Sequence, residues 1–320
     1  MAEQMEMNHM AGNERRDLVP DSKQRRHAVN MLQTNGQVRF QNILFATDFS
    51  STTQLALPYA IEMARTTNAK IHVAHVISPD IYPLVPPEEW ARMGQAEEEF
   101  RNVKRQELEK VLMGLPYEFL FPAGDVWESL SRIINEKNID LLVLGTHGRT
   151  GIRKTVFGSV AERIFLQATC PVLTVGPRVS FRADHSTTVK LNCVLYATDF
   201  SPESLGAARY AIYLAREYQA QLVLLNAIQK ADAGQMNSAY ETLRDVVPLG
   251  AGLAAVPKCT VERGAPADSI LSVSMRDNAD LIVLGIRRVE GSVTPATHFA
   301  RSVAYKVITQ AECPVLTVRD

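Results

Sequence analysis

Short apolar runs alternate along this chain with longer stretches in which apolar side chains recur every three or four residues. Asn42 to Thr47 is one such run, and from Leu55 to Ala64 the spacing turns helical behind the capping-type residues Ser50 and Ser51. The pattern predicts a strand and then a helix. Ile71 to Ile77 alternates and predicts a second strand, and Glu97 to Leu115 sets Phe100, Val103, Val111 and Leu115 on one helical stripe. Tyr117 to Phe121 then predicts a strand, Val126 to Glu136 a helix, Leu141 to Leu144 a wholly apolar strand, Val160 to Gln167 a helix, and Val172 to Val175 a fifth strand.

The order then repeats. Predicted elements fall at Cys193–Ala197, Leu205–Tyr218, Leu222–Ile228, Glu241–Val247, Cys259–Glu262, Ala267–Met275, Leu281–Leu284, Val303–Gln310 and Val315–Val318. Ile43-Leu44-Phe45-Ala46-Thr47-Asp48-Phe49-Ser50 recurs 151 residues later as Val194-Leu195-Tyr196-Ala197-Thr198-Asp199-Phe200-Ser201, and Ser159–Val175 recurs from Ser302 to Val318. The chain is a tandem duplication. Strict alternation of strands and helices implies parallel sheets covered on both faces, so the fold class is α/β, with two tandem five-stranded parallel-sheet sandwiches. The boundaries expected are a disordered tail over 1–38, a first domain over 39–177, a polar linker over 178–190 and a second domain over 191–320. Pro79 to Trp90, with four prolines, reads as a surface excursion whose second-half counterpart is shorter.

A length of 320 residues agrees with two domains, and 46% hydrophobic and 22% charged residues are ordinary for globular domains with a core in each. A formal net charge of -1 gives no long-range field to draw in nucleic acid or an anionic membrane. No apolar run approaches the roughly 20 residues a membrane span needs, and residues 1–38 lack the features of a secretory signal, so a cytoplasmic location is expected. Cys170, Cys193, Cys259 and Cys313 show no metal or redox spacing, and Cys170 and Cys313 share one repeat position before a proline, which suits strand-start packing.

In an open parallel sheet, ligands bind outside the carboxyl ends of the strands, where the chain order reverses. Asp48 follows the first strand directly. It can either accept hydrogen bonds from a ribose diol or backbone donors, or simply cap the helix that begins near Ser50. Gly145 and Gly148 bracket a turn past the fourth strand and Gly158-Ser159 opens a helix, so backbone amides and a helix N-terminus converge on an anion-sized space. Glycine is needed where a Cβ would block a phosphate. Arg149, Arg153 and Lys154 lie between them and can screen a polyphosphate. In the second half Gly285 and Ser302 persist, but Arg288 and Arg301 stand where Gly148 and Gly158 align. His72 and His75 are three apart on a predicted strand, thus on opposite faces, and do not form a metal pair. His147 has no partner carboxylate assignable from sequence, so a loop role or simple ligand contact is favoured over a general base.

The Ala-Thr-Asp-Phe-Ser segment, the spacing of Gly145, Gly148 and Gly158-Ser159, and the closing Cys-Pro-Val-Leu-Thr-Val strand resemble the universal stress protein family in its tandem two-domain form, over residues 40 to 320. The resemblance implies a Rossmann-like, adenine nucleotide alpha hydrolase-like fold and an ATP site, with Mg²⁺ travelling with the nucleotide. It implies that Ala46, Thr47 and Asp48 line the adenosine side and that Val76 meets the adenine through its backbone. Leu144, Gly145, His147 and Gly148, with Arg149 beside them, would wrap ribose and phosphates, and Gly158, Ser159 and Val160 would hold the phosphate tail. It also implies pairing of the last strands of the two halves, an intramolecular pseudo-dimer, with a homodimer as a further possibility. A stress-response or regulatory role is expected, more in keeping with a binding protein than an enzyme. The rivals are a slow ATP hydrolase or phosphotransferase, and a nucleotide-independent module that binds another metabolite or a protein. Neither half contains a Walker A motif.

Overall fold

The computed structural model of the chain describes residues 38–77, 89–146, 159–179, 189–287 and 302–319. The first half runs β1 (Asn42–Ala46), α1 (Ser51–Gln54), α2 (Leu57–Thr67), β2 (Lys70–Ala74), α3 (Trp90–Val111), β3 (Tyr117–Leu120), α4 (Val126–Glu136), β4 (Leu141–Gly145), α5 (Ser159–Gln167) and β5 (Val172–Val175). The second runs β6 (Cys193–Ala197), α6 (Pro202–Glu217), β7 (Gln221–Ile228), α7 (Ala233–Val246), β8 (Lys258–Arg263), α8 (Pro266–Arg276), β9 (Leu281–Gly285), α9 (Val303–Gln310) and β10 (Val315–Val318). Residues 1–37 of the expected tail, and most of both the linker and the Pro79–Trp90 excursion, lie outside the described residues.

The central apolar runs form strands because both of their faces are covered, whereas the edge strands β3 and β8 are only partly buried. β4 and β6 are buried along their whole length, as parallel strands between two helical layers must be. The strands form one ten-stranded sheet in the order β3-β2-β1-β4-β5-β10-β9-β6-β7-β8, parallel within each half. The halves join where β5 and β10 run antiparallel, with Leu173 opposite Leu316. Period-two alternation sends Ile43 and Phe45 into one core layer and Leu44 into the other, and both layers run through both halves. At the join, the buried hydroxyls of Thr174 and Thr317 donate across the strand pair to Val315 O and Val172 O, at 3.0 and 3.3 Å. Arg319, just past β10, donates to the carbonyls of Phe165 and Ala168 at the end of α5, so a cation from the second half closes a helix C-terminus of the first.

The duplication is visible in small contacts. Asp140 Oδ2 accepts from the amides of Gln41 and Asn42, and Asp280 Oδ2 from those of Asn192 and Cys193. In each copy a carboxylate before the fourth strand thus fixes the start of the first.

Several predicted boundaries shift for local reasons. The helix expected over Leu55–Ala64 is α2, which starts at Leu57 and runs on to Thr67; Leu55–Ala56 part it from the short α1, because Pro58 in the first turn of α2 has no N–H to continue the ladder. The second strand ends at Ala74 rather than Ile77, which returns only as a bridge to Ala123. α7 begins at Ala233, eight residues before the expected Glu241, behind a capping box in which Asp232 and Gln235 satisfy each other's backbone amides. The stripe expected on α3 is also displaced. Val103 and Val111 are exposed, and it is Leu108 and Leu112 that are buried.

On β3, Glu118 lies between Lys70 and Lys137, both at 2.7 Å, and 3.4 Å from the buried His72. Hydrogen bonds from Lys137 and Lys70 hold the Glu118 carboxyl at about 2. Burial, assisted by Lys70, lowers the His72 imidazole. Both folded-state values are depressed, so both groups stabilise the fold at neutral pH and lose that contribution on acidification. His72 begins to lose it below its ordinary value of about 6.5. Glu118 loses it between about 4.5 and 2. The lysines are partly exposed, so screening holds the carboxylate's contribution to about 1 kcal/mol. Denaturant titrations should show Glu118→Gln less stable than the parent at pH 7, with the gap closing below pH 4. A gap unchanged at pH 2.5 would show that the lysine pairs contribute nothing.

Candidate functional site

The chain winds β1, β2, β3 in one direction and then crosses back to place β4 on the other side of β1. The carboxyl ends of β1 and β4 therefore flank the switch point of the first half, where such sheets open a crevice. Phe45 is opposite Val143, which sets Ala46 and Thr47 beside Leu144 and Gly145. Thr47 N donates to Ala74 O at 2.9 Å, which carries the edge of the crevice to the end of β2, and half-buried Val76 follows two residues later.

Past β1 the backbone turns sharply. Phe49 has φ 61°, a left-handed conformation uncommon for a bulky residue and costing on the order of 1–3 kcal/mol. Side chains hold it there. Thr47 Oγ1 accepts from Phe49 N at 2.9 Å, and Asp48 Oδ1 accepts from Ser50 N at 2.9 Å and lies 3.0 Å from the Thr53 hydroxyl. The cap of α1 is Ser50, whose side chain accepts from Thr53 N. Asp48 is therefore not the helix cap, and its carboxylate organises the turn. The second copy repeats the device. Phe200 has φ 61°, Thr198 Oγ1 accepts from Phe200 N at 2.9 Å, and Asp199 Oδ1 accepts from Ser201 N at 3.0 Å. Burial works to raise the Asp199 carboxyl, but hydrogen bonds from Ser201 and Ser204 outweigh it and hold the group below the usual carboxylate range.

Two residues of this turn escape a motif reading. Thr53 ties Asp48 to the helix, and its equivalent 151 residues on is Ser204, another hydroxyl, placed 2.8 Å from Thr198 Oγ1. His75 Nδ1 lies 2.8 Å from Thr47 O; a carbonyl only accepts, so Nδ1 carries the proton. Its equivalent is Asn226, whose Nδ2 donates to Thr198 O at 2.8 Å. The retained donor chemistry at one offset was the available signal.

Ser159 opens α5, and the right-handed crossover sets that N-terminus on the carboxyl side of the sheet, with Val160 exposed. His147, Gly148, Arg149 and Gly158 lie outside the described residues. The structure thus brings Ala46, Thr47, Asp48, Leu144 and Gly145 together, with Val76 on the neighbouring strand end. Gly285, the second-half counterpart of Gly145, has a packing reason of its own: a Cβ there would lie 2.2 Å from Glu203 O and 2.4 Å from Ser204 Cα. A cavity of about 560 Å³ opens at the N-termini of α8 and α9, with Arg178, Lys306 and the counterparts of Ser159 and Val160, Ser302 and Val303, on its wall; neither Asp199 nor Gly285 lines it.

Among the described residues no group of three His, Cys, Asp or Glu side chains is placed to hold a metal, and no helix is long and apolar enough to cross a membrane. Burial pushes the Cys170 thiol up to about 12 and that of Cys193 to about 11, unsuited to thiolate chemistry.

A profile of the universal stress protein family matches residues 39–176 and again 192–319. The chain is 31% identical over 159 residues to universal stress protein MJ0531 of Methanocaldococcus jannaschii, a match covering 47% of this chain and 89% of that protein. It is 33% identical over 139 residues to universal stress protein Sll1654 of Synechocystis, covering 41% of this chain and 87% of that one. A crystal structure of a universal stress protein from Archaeoglobus fulgidus superposes with TM-score 0.69 at 23% identity, over 88% of this chain and 98% of that one, which shows the same fold across both halves.

Proposed function

We propose that this chain, which belongs to the universal stress protein family, is an ATP-binding member that holds one nucleotide in its first half and acts in a stress-response or regulatory capacity rather than as an enzyme. The observation that carries the reading is the Asp48 turn at the switch point. A carboxylate is anchored through one oxygen by Ser50 N and Thr53 beside the ends of β1 and β4, where a nucleoside would lie. A carboxylate so fixed suits a ribose diol, and a β2 end displaying backbone at Val76 suits an adenine edge. The sequence supplies the rest: Gly145, His147, Gly148 and Arg149 for the ribose and phosphates, and Gly158, Ser159 and Val160 at a helix N-terminus for the phosphate tail. Mg²⁺ would arrive with the polyphosphate. The antiparallel β5–β10 join makes the two halves an intramolecular pseudo-dimer in this reading, covering edges that would otherwise recruit another chain, and the protein works in the cytoplasm.

Nucleotide released by heat from purified full-length protein, identified and quantified, tests the reading. ATP at about one per chain is expected, and protein that neither retains ATP nor binds it when added overturns it. Asp48→Ala is expected to weaken binding by about 1.5–3 kcal/mol, roughly ten- to a hundredfold, as loss of a charged hydrogen bond does. Calorimetry giving an unchanged affinity with an intact fold would reduce Asp48 to an organiser of the turn.

A further inference from the structure

The long helix α3 is attached to the sheet in an unusual way, and one of its contacts reaches the Asp48 turn. Over its 22 residues, Leu108 is the one buried position among the side chains described. Among the described side chains, its other contacts include cations over rings. Arg101 lies 6.0 Å from the centre of Phe121, and Arg105 5.5 Å from that of Phe119. Such contacts at accessible sites are individually weak. Its counterpart α7 is a contrast within the same molecule. In 14 residues it buries Ala239, Thr242, Leu243 and Val246. Buried apolar area fixes α7, whereas the described part of α3 ahead of Leu108 is held by interactions that small changes can outweigh.

Phe100 joins α3 to the site. Its ring packs edge-on against Phe49 at 5.6 Å and lies 6.2 Å from His75, while Phe49 and His75 are 4.8 Å apart. Phe49 is the left-handed residue next to Asp48, and His75 donates to Thr47 O on its other side. The helix therefore touches the two residues, Phe49 and His75, that bond to Thr47 beside Asp48. In the second half, Asn226 takes over the hydrogen bond of His75 without a ring, and Phe200 is buried in the core.

We propose that α3 is the element that reads out nucleotide binding in the first half: occupancy of the crevice fixes the Asp48 turn, and Phe49, His75 and Phe100 pass that to the docking of α3, with no matching response in α7. The proposal rests on the ATP reading above. Coupling is reciprocal: if ATP favours docking of the helix by some factor, the undocked helix binds ATP more weakly by that factor, so affinity falls as the docked fraction falls.

The experiment uses the full chain. Calorimetry with ATP and Mg²⁺ establishes binding, and hydrogen exchange is followed with and without saturating nucleotide. Amides within Gly94–Leu108 should exchange at least about fivefold more slowly with ATP bound, while those of Ala233–Val246 stay the same. Arg101→Gln with Arg105→Gln touches neither Phe49 nor His75 and leaves the core intact. It should speed exchange in α3 and weaken ATP by up to the factor, about fivefold, by which ATP slows exchange in the parent. Phe100→Leu should do the same. ATP binding with unchanged α3 exchange, or an arginine variant whose α3 is undocked by hydrogen exchange and whose affinity is nevertheless unchanged, overturns the coupling and leaves the ATP reading standing. Absence of any ATP binding overturns both.

Discussion

Titration of the full chain with ATP is expected to show one site, and Gly148→Arg together with Gly158→Arg is expected to abolish it. The second half already carries this substitution, with Arg288 and Arg301 at the aligned positions. Its strand-end turn is otherwise intact: Asp199, Thr198 and Phe200 reproduce the hydrogen bonds and the φ of 61° seen around Asp48. In the ATP reading proposed above, the two halves thus share the turn that would hold a nucleoside and differ in the residues that would take phosphates. An arginine adds attraction for a polyphosphate, but it also sets a long side chain where the phosphates must approach backbone amides, and it cannot adopt positive φ cheaply. Phosphate groups bound by a helix N-terminus depend on that close approach, so the steric loss outweighs the charge gained. The loss should exceed a hundredfold, beyond the effect of removing Asp48 alone. Calorimetry showing two equivalent sites in the parent protein, or a doubly substituted chain that still binds ATP within tenfold of it, would refute the assignment to the first half.

How far the sequence carried this picture depended on whether a feature is local. The apolar runs Leu141–Leu144 and Cys193–Ala197 predict strands because a strand buried on both faces needs nothing else, and both are found with every residue buried. Helix starts were less legible where the first turn is polar. α6 begins at Pro202 behind Ser201, and α7 at Ala233 behind Asp232, and in both the cap rather than periodicity marks the start. The α3 stripe was misplaced because Val103 and Val111 compete in spacing with Leu108, Leu112 and Leu115, the positions that meet the core. At the site, the motif gave Asp48 but not how it is held. Thr53 is five residues away and His75 twenty-seven, and they meet the turn only through α1 and the end of β2. Comparing the two copies was the one route to them, since a hydroxyl recurs as Thr53 and Ser204, and an N–H donor as His75 and Asn226, at offset 151.

Gly285→Ala is expected to destabilise the second half severely. The new Cβ would sit 2.2 Å from Glu203 O, 2.4 Å from Ser204 Cα and 2.7 Å from Glu203 C. All three are backbone atoms in the first turn of α6, so no rotamer change relieves the overlap, and the helix end must move by about an ångström. That movement has its own cost. The fully buried Tyr196 hydroxyl donates to Ser204 O at 2.6 Å, and the Ser204 hydroxyl lies 2.8 Å from Thr198 Oγ1, so displacing this turn strains both contacts. Overpacking of a core costs typically 1–3 kcal/mol. An impaired buried hydrogen bond adds about 1–3 kcal/mol more. Together these are a large part of a domain stability on the order of 5–15 kcal/mol. The same contact bears on function, because it assigns Gly285 to the packing of β9 against α6 and removes the need to explain it as a relic of phosphate binding. ATP affinity in the first half should then change little in Gly285→Ala at temperatures where the chain stays folded. Denaturation of the variant followed by circular dichroism should show a transition shifted by several kcal/mol or a separate early step. A midpoint within a few tenths of a kcal/mol of the parent would mean that α6 yields freely and that packing is not what holds glycine at this position.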